Sequence, residues 1–468
     1  MATTESWDAT AALLTPEVRG LLARGEREQA SGVLSRLRDP EVADVLRALE
    51  PGSRVEAFGL LPGDRAADVF DFLDQGAQEL LVDALSDEQV AEIFNAMDSD
   101  DRVDFLEDAP EEVAASTLAL MDPAERAQTE KLLEFPEDSV GRLITTDYLT
   151  VRPEWTVHRA MDHIRAEGRD AEMLLTIYVV DDRGRLVDHV RLRNLVLAEP
   201  GELCEALREG QVVSLHAEDD REAAVQMMER YDLPVIPVVE AEGVLVGVVT
   251  FDDVADVASE ETTEDIHKLG GLDALETAYL STPLTVMARK RGVWLSILFI
   301  AGLGTVASMG FFHEQLQARA ILALFVPLII ASGGNSGSQA ATLIVRALAV
   351  GDVKAANWPG VFRRELLSGL MLGSILGLVG LVVATAAAYA LPAAEASGLA
   401  DALTLGFAIG AAVLGVVITG VLVGSMLPLG LVKLGIDPAT CSTPFVATIV
   451  DIAGLVIYFT VATIVLGV

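Results

Sequence analysis

The stretch Phe445-Val-Ala-Thr-Ile-Val-Asp451-Ile-Ala-Gly454-Leu-Val-Ile-Tyr458 decides what kind of chain this is. It lies in an apolar run over 443–467, long enough for the ~20 residues of a membrane-spanning helix, yet it carries a carboxylate. An Asp at the centre of such a helix costs roughly 2.5–3.5 kcal/mol. At helical spacings of three and four its neighbours are Ala447, Thr448, Gly454 and Leu455, and no basic residue occurs within the span. A structural salt bridge therefore lacks a partner, whereas a cation path supplies one. Two such chains side by side would present two carboxylates to one axial ion.

Working outward, four more apolar segments precede it, at roughly 292–312, 320–345, 366–391 and 403–432, each of spanning length. Arg289, Lys290, Arg291, Arg346, Lys354, Arg363, Arg364 and Lys433 fall on one side of these spans and only Arg319 on the other. Basic loops stay in the cytoplasm, which puts the N-terminus inside and the C-terminus outside. The second span holds Pro327 and then Gly333-Gly334-Asn335-Ser336-Gly337-Ser338-Gln339. Pro and a Gly pair let that helix break, and freed carbonyls at membrane depth are tolerated mainly where they line a watery path. Asn335, Ser338, Gln339 and Thr342 add side-chain oxygens. Glycines in the third and fourth spans read as packing surfaces. Mg²⁺ keeps several waters and binds through one or two carboxylates, which suits this oxygen set, and the second and fifth spans hold no Cys or His for a softer metal.

The rest of the chain is of another kind. Hydrophobic residues make up 51% of the 468, and the formal net charge is −37. Residues 1–280 hold 63 of the 70 acidic and 24 of the 33 basic residues, a net of −39. The N-terminus shows no basic n-region or apolar core, so no signal peptide is expected and the acidic part is expected in the cytoplasm. The two cysteines, Cys204 and Cys441, lie far apart in different halves, so a disulfide framework is not expected.

The first 135 residues repeat at a shift of 24. Asp44–Glu50, Asp68–Asp74, Glu92–Asp98 and Ser116–Asp122 fall into register, each ending in an acid followed by a turn and a second helical pattern. An acid there is expected to cap the next helix, and four helix pairs read as a small α-solenoid. Over 140–262 the pattern changes to short β-branched strands between helices. Ile177-Tyr-Val-Val-Asp-Asp-Arg-Gly184 matches Ile236-Pro-Val-Val-Glu-Ala-Glu-Gly243 at a shift of 59, with each Gly in a hairpin turn. This resembles a tandem pair of CBS domains. The resemblance implies an adenine-nucleotide site built on a Thr and an Asp three residues later; the second copy has Thr250 and Asp253, the first Arg191 and Asn194. A CBS pair used purely as a dimerising sensor stands beside that reading. Next comes an acid run holding Asp252, Asp253, Asp256, Glu260, Glu261, Glu264 and Asp265, crowded enough that a cation is expected on it, with a solvated linker as the alternative.

In this order the parts resemble the MgtE family of magnesium channels: a helical acidic N-domain over 1–135, a CBS pair over 136–265, a connecting plug helix over 266–291 (an amphipathic stretch from Leu272 to Met287, with about Leu272 to Arg289 matching the family's plug helix), and a five-helix membrane domain over 292–468. The resemblance implies a homodimer in the cell inner membrane with its pore on the dimer axis. It implies a pore metal contact at Asp451 and an acid near the cytoplasmic pore mouth at Asp437, in the turn before the last span; Asn335, from its side-chain oxygen in the second span, is expected to join them as a pore metal contact. It implies regulatory magnesium acids at Asp68, Asp100 and Asp104 in the solenoid and at Asp220, Glu222, Asp232, Asp253, Glu261, Glu264 and Asp265 beyond it. Mg²⁺ bridging these acids would close the assembly and drive the plug helix into the pore. ATP or another adenine nucleotide is the further expected ligand, and nucleic acid is not among the expected partners. A secondary transporter coupled to Na⁺ or H⁺, or a membrane-anchored nucleotide-binding regulator, are the competing readings. No P-loop, nucleophile–base pair or metal-hydrolase motif occurs, so an enzyme is not expected.

Overall fold

The computed structural model describes residues 5–169, 171, 173–275, 279, 282–390 and 398–467, with side chains from residue 13 onward. Two compact units divide between Ser259 and Glu260.

The first unit opens with α1 (Glu5–Ala23) and α2 (Arg27–Leu34), followed by eight short helices. These are α3 (Asp39–Arg47), α4 (Pro51–Phe58), α5 (Gly63–Asp71), α6 (Gln75–Ala84), α7 (Asp87–Ala96), α8 (Ser99–Asp108), α9 (Glu111–Leu120) and α10 (Pro123–Leu132). Members of each set, α3/α5/α7/α9 and α4/α6/α8/α10, begin 24 residues apart, as the repeat predicts. No pair could bury its apolar face alone, so each stacks on the next: α3 packs on α5, α5 on α7 and α7 on α9. Phe58, Phe70, Phe94 and Phe105 run through the core, the first two contacts edge to face and the last tilted, with successive ring centroids 6.3, 5.6 and 5.0 Å apart. The expected acid caps hold only in part. Asp74 accepts a bond from the Ala77 amide at 3.0 Å, but Asp98 and Asp122, at the same repeat position, make no side-chain cap bond.

The CBS pair follows. Its first copy comprises β1 (Thr150–Val151), α11 (Val157–Glu167), β2 (Thr176–Val180), β3 (Leu186–Arg191) and α12 (Leu192–Leu197). The second comprises β4 (Leu215–His216), α13 (Glu222–Tyr231), β5 (Val235–Val239) and β6 (Leu245–Thr250). Each sheet has a parallel pair (β1–β2, β4–β5) and an antiparallel hairpin (β2–β3, β5–β6), with register shifts at Val179/Val180 and Val238/Val239, again 59 apart. Gly184 and Gly243 turn the two hairpins at φ +77° and +79°, where a side chain would be strained. The turns bond to each other, Leu186 N–H to Gly243 O at 2.9 Å and Leu245 N–H to Gly184 O at 3.0 Å. This reciprocity relates the copies by a pseudo-two-fold.

α14 (Phe251–Leu269) runs on from β6 without a break. The connecting helix therefore lies earlier than the sequence suggests. Residues 272–275 have no regular structure, and 276–278, 280 and 281 lie outside the described residues. The physical reason is local: Gly271 stops α14 at φ +75°, and Pro283 stands at the N-cap of the next helix, where a missing N–H does no harm.

The second unit holds α15 (Leu284–Ala301), α16 (Leu303–Phe311), α17 (His313–Ala318), α18 (Ile321–Ala349), α19 (Trp358–Ala390), α20 (Leu399–Lys433) and α21 (Thr443–Leu466). Five helical segments are long and apolar enough to cross a membrane, α15 and α16 together forming the first. α20 is central, packing on α18, α19 and α21. The break that Pro327 and the Gly pair would allow in the second span is absent: α18 is one continuous helix through both. Its glycines pack instead. A Cβ at Gly333 would meet Val416 at 2.6 Å and Val450 at 2.8 Å, and one at Gly420 would meet the Gly333 carbonyl at 2.7 Å. Small residues let these backbones approach, and Gly369, Gly373 and Gly377 of α19 do the same against α20.

Candidate functional site

Asp451 sits half-buried in α21. A Cβ placed on Gly334 would lie in ordinary contact, 3.4 Å from its Oδ1 and 3.6 Å from the Ala447 Cβ, so α18 passes close beside the carboxylate with no side chain of its own at that point. Among the described residues no cation pairs with Asp451. Asn335 and Gln339 face outward from α18, while Ser338 donates to the Thr443 carbonyl at 3.2 Å and ties α18 to the start of α21. Asn335 thus lies on an outer face of one chain rather than in a closed channel within it.

At the end of the bundle where α21 begins, Asp437 is already occupied. Its Oδ1 accepts the Ala439 amide at 2.8 Å, and its Oδ2 accepts from Lys268 Nζ at 2.7 Å. Lys268 also contacts Glu264 one turn back on α14. Burial works to lower the Lys268 pKa, but bonds to Asp437 and Glu264 outweigh it and hold the ammonium above its ordinary range. Asp265 is pushed above the usual carboxylate range by burial and then by Asp437, with Lys268 countering and Glu261 and Glu264 adding. The end of α14 is fastened beside this pair. Thr443 Oγ1 donates to the Leu269 carbonyl at 3.1 Å, and Trp294 Nε1 to Ser442 Oγ at 3.1 Å. A Cβ on Gly271 would strike the Trp294 ring at 2.7 Å.

In the first unit, α5, α8 and the start of α14 bring acids together. Asp253 is raised to about 6, by burial first and then by Asp252, although bonds from Thr250 and Asp100 pull the other way. Asp71 is raised to about 6 by burial and the charge of Asp256, with a bond to Asp101 opposing. Asp98 is raised by burial and Asp252 against Arg102, and Asp68 by burial, Asp39, Asp98 and Asp64 against Arg65. Two carboxyls within hydrogen-bonding reach cannot both stay ionised cheaply, so the Asp100–Asp253 and Asp71–Asp101 pairs need a proton or a cation. Among the described residues no three acids, histidines or cysteines converge as a ready-made metal cage. Asp104 is exposed one turn beyond Asp100. Asp220 accepts from the Glu222 amide at 2.9 Å and opens α13, and Asp232 closes that helix in the left-handed region at φ 50°. Asp220 and Asp232 belong to the second CBS copy rather than to α5, α8 or α14.

Among the described residues, Thr250 and Asp253 are not walls of the open cleft of the CBS pair. Thr250 is fully buried, and α8 covers this side, with Val103 in one core with Ile144, Ile236 and Val249 and Ser99 Oγ bonded to the Ile144 carbonyl at 3.1 Å. The pseudo-equivalent cleft, where Arg191 stands in place of Thr250, is open. It measures about 920 Å³, and Tyr178, His189, Arg191, Arg193, Tyr231 and Asp232 are among its walls. The Tyr178 hydroxyl is buried there without a hydrogen-bond partner among the described residues.

Sequence reading missed Lys268, Asp71, Asp98 and Asp101. The i, i+4 spacing from Glu264 would have found Lys268; Asp98 looked like one cap among several, and Asp71 and Asp101 acquire meaning only through α14.

A sequence profile described as divalent cation transporter matches residues 326–461, one for the MgtE intracellular N domain matches 37–138, and the CBS domain profile matches 140–201 and 206–260. The magnesium transporter MgtE of Thermus thermophilus is 40% identical over 349 residues, covering 74% of each chain. Its namesake from Enterococcus faecalis is 32% identical over 339 residues, 72% of each. The crystal structure of the cytosolic domain of the Mg²⁺ channel MgtE in complex with ATP aligns over 52% of this chain and all of that one, at 32% identity and a TM-score of 0.50. With these three parts in this order and that identity across three quarters of both sequences, the chain belongs to the MgtE family of magnesium transporters.

Proposed function

We propose that the chain conducts Mg²⁺ into the cytoplasm through a pore formed by two copies, and that cytoplasmic Mg²⁺ closes it. The observation that carries this is Asp451: a half-buried carboxylate in a membrane helix, unpaired among the described residues and flanked by Gly334, which has no side chain. Membrane carboxylates of this sort mark ion pathways. Asn335 on the outward face of α18 supports a path completed by a second copy, since hydrated Mg²⁺ takes one or two carboxylates and neutral oxygens. With the acidic first unit in the cytoplasm, as the basic loops imply, the C-terminus lies outside.

Closure rests on two acidic regions. Asp71, Asp98, Asp100, Asp101, Asp253 and Asp256 crowd α5, α8 and α14, with Asp68 and Asp104 at the margin. Glu261, Glu264, Asp265 and Asp437 gather where α14 ends against the bundle, and Asp220, Glu222 and Asp232 are further acids of the CBS pair. Cation binding at carboxylate pairs relieves their repulsion and fixes α14 in place. Changing a population from mostly open to mostly closed takes about 5.5 kcal/mol of differential binding, which several weak sites supply together.

The open CBS cleft is the place for a nucleotide, as the ATP complex of the similar cytosolic domain suggests. Its volume is in the range of small-molecule sites, its tyrosines offer stacking faces, and Arg191 and Arg193 offer phosphate contacts.

The test is Mg²⁺ uptake into proteoliposomes carrying purified protein. Asp451→Ala is expected to abolish flux while dimers still form; uptake at the unaltered rate would remove Asp451 from the path. Flux that follows an imposed Na⁺ or H⁺ gradient would favour coupled transport.

A further inference from the structure

The two ends of the membrane unit differ in how their cations are satisfied. At one end stands Arg319, paired with Asp401 at 3.1 Å. At the other, Arg346 in the last turn of α18, Lys354 in the following loop, Arg363 and Arg364 near the start of α19, and Lys433 at the end of α20 are all exposed. None of the five forms an ion pair among the described residues. Of the nearby acids, Asp352 is exposed in the loop, Glu365 is half-buried on α19, and Asp437, four residues beyond Lys433, is already paired with Lys268.

The five are held in one rim. Ile344, Val361 and Leu429 pack as a small core, with Leu348, Val353 and Met426 against it, drawing the ends of α18, α19 and α20 together. Lys433 Nζ lies 5.4 Å from the centre of the Trp358 ring. Apolar side chains stay exposed beside the charges: Trp358 at 46%, Ile436 at 45% and Leu434 at 74%. Trp at a span end belongs to the headgroup level of a bilayer. Guanidinium groups bind phosphate oxygens in a two-pronged fashion.

We propose that this rim binds the phosphate headgroup of an anionic phospholipid, with Arg363, Arg364 and Lys433 on the phosphate and Trp358 against the upper acyl chain. The counter-charge comes from the membrane because exposed apolar side chains adjoin the cations, Trp358 against Lys433 and Leu434 next to it in the chain, which a free anion would not require. Basic pockets between spanning helices recognise lipid headgroups by this chemistry. The inference holds whichever ion crosses the membrane.

Native mass spectrometry of the full-length purified chain, titrated with phosphatidylglycerol or phosphatidylcholine, tests it. Phosphatidylglycerol is expected to bind at least about tenfold tighter. Each cation removed lowers that affinity about fivefold, so Arg363→Gln/Arg364→Gln/Lys433→Gln should erase the preference. If that variant fails to insert, Lys433→Gln alone should show the single step, while Arg363→Lys/Arg364→Lys retains most of the preference. Equal binding of both lipids, or a preference surviving in the triple variant, overturns the proposal. Displacement of phosphatidylglycerol by millimolar inorganic phosphate overturns it too, because it would make the rim a free-anion site. So would a triple variant with unchanged lipid preference and a shifted Mg²⁺ response, which would make the rim a contact for the acidic half of the assembly.

Discussion

Asp451 was legible before any fold, because an unpaired acid in an apolar span needs a reason that packing does not supply. Its surroundings were not legible, since Gly334 matters through the side chain it lacks, at a spot fixed by how α18 meets α21. A carboxylate kept for its charge should work against folding. Asp451→Asn holds the shape and removes most of the roughly 2.5–3.5 kcal/mol burial cost, so it is expected to abolish flux while raising the melting temperature by about 5 °C. Uptake and thermal melts on one preparation check this; a lower melting temperature with flux intact would mark Asp451 as a structural acid. Asp437 illustrates the opposite limit. The family resemblance pointed it to the pore, but its partner Lys268 lies 169 residues away, and nothing short of a tertiary contact joins them.

Among the elements, period was readable and continuity was not. Shifts of 24 and 59 residues located the solenoid pairs and the CBS hairpins because each reports a buried face or a turn. The connecting helix was misplaced because an amphipathic pattern around Leu272 carried more weight than Gly270-Gly271, and the sequence of α18 allows a break because glycine reads alike in a kink and in a close contact. α20 separates those meanings. Gly420→Val would drive a side chain into Gly333 and Ser336 of α18 and is expected to destabilise the bundle by more than ~3 kcal/mol. Gly430→Ala, with nothing within 4 Å, should be neutral or stabilising by up to ~1 kcal/mol; melts of the two variants compare them directly. The end of α14 gives a second contrast. Lys268 holds Glu264 and Asp437 together, so Lys268→Gln should raise the Mg²⁺ concentration that half-closes the pore severalfold. An unchanged closing curve in single-channel recordings would reduce the ion pair to a passive contact.

At the level of the molecule, the proposed regulation makes the acidic half answer to protons as well as to divalent ions. Asp71 and Asp253 titrate near 6 when folded, against an ordinary value of 3.8. A carboxyl with a raised folded-state pKa binds its proton more readily folded than unfolded, so folding gains stability as pH falls from about 6 to about 4 and loses it as pH rises through that window. On the proposed reading, Mg²⁺ and the proton would compete for the same oxygens. Above pH 7 these carboxylates are charged and crowded in a region of net charge −39, and a bridging ion has most to relieve. Millimolar MgCl₂ should therefore raise the melting temperature of the first unit, within the full-length protein, more than NaCl of equal ionic strength. Monovalent salt only screens, over about 8 Å at physiological strength, whereas a bound ion stabilises the folded state by mass action. The Mg²⁺ increment should shrink between pH 7.5 and pH 5.5 as protons take the sites. Replacing Asp71 and Asp253 together by Asn should flatten that pH dependence, since the groups that titrate in the window are gone. Melts at both pH values, each with MgCl₂ and matched NaCl, distinguish the possibilities. If the two salts act alike at pH 7.5, the crowded carboxylates of α5, α8 and α14 bind no divalent ion, and control of the pore must pass through the acids around Asp437.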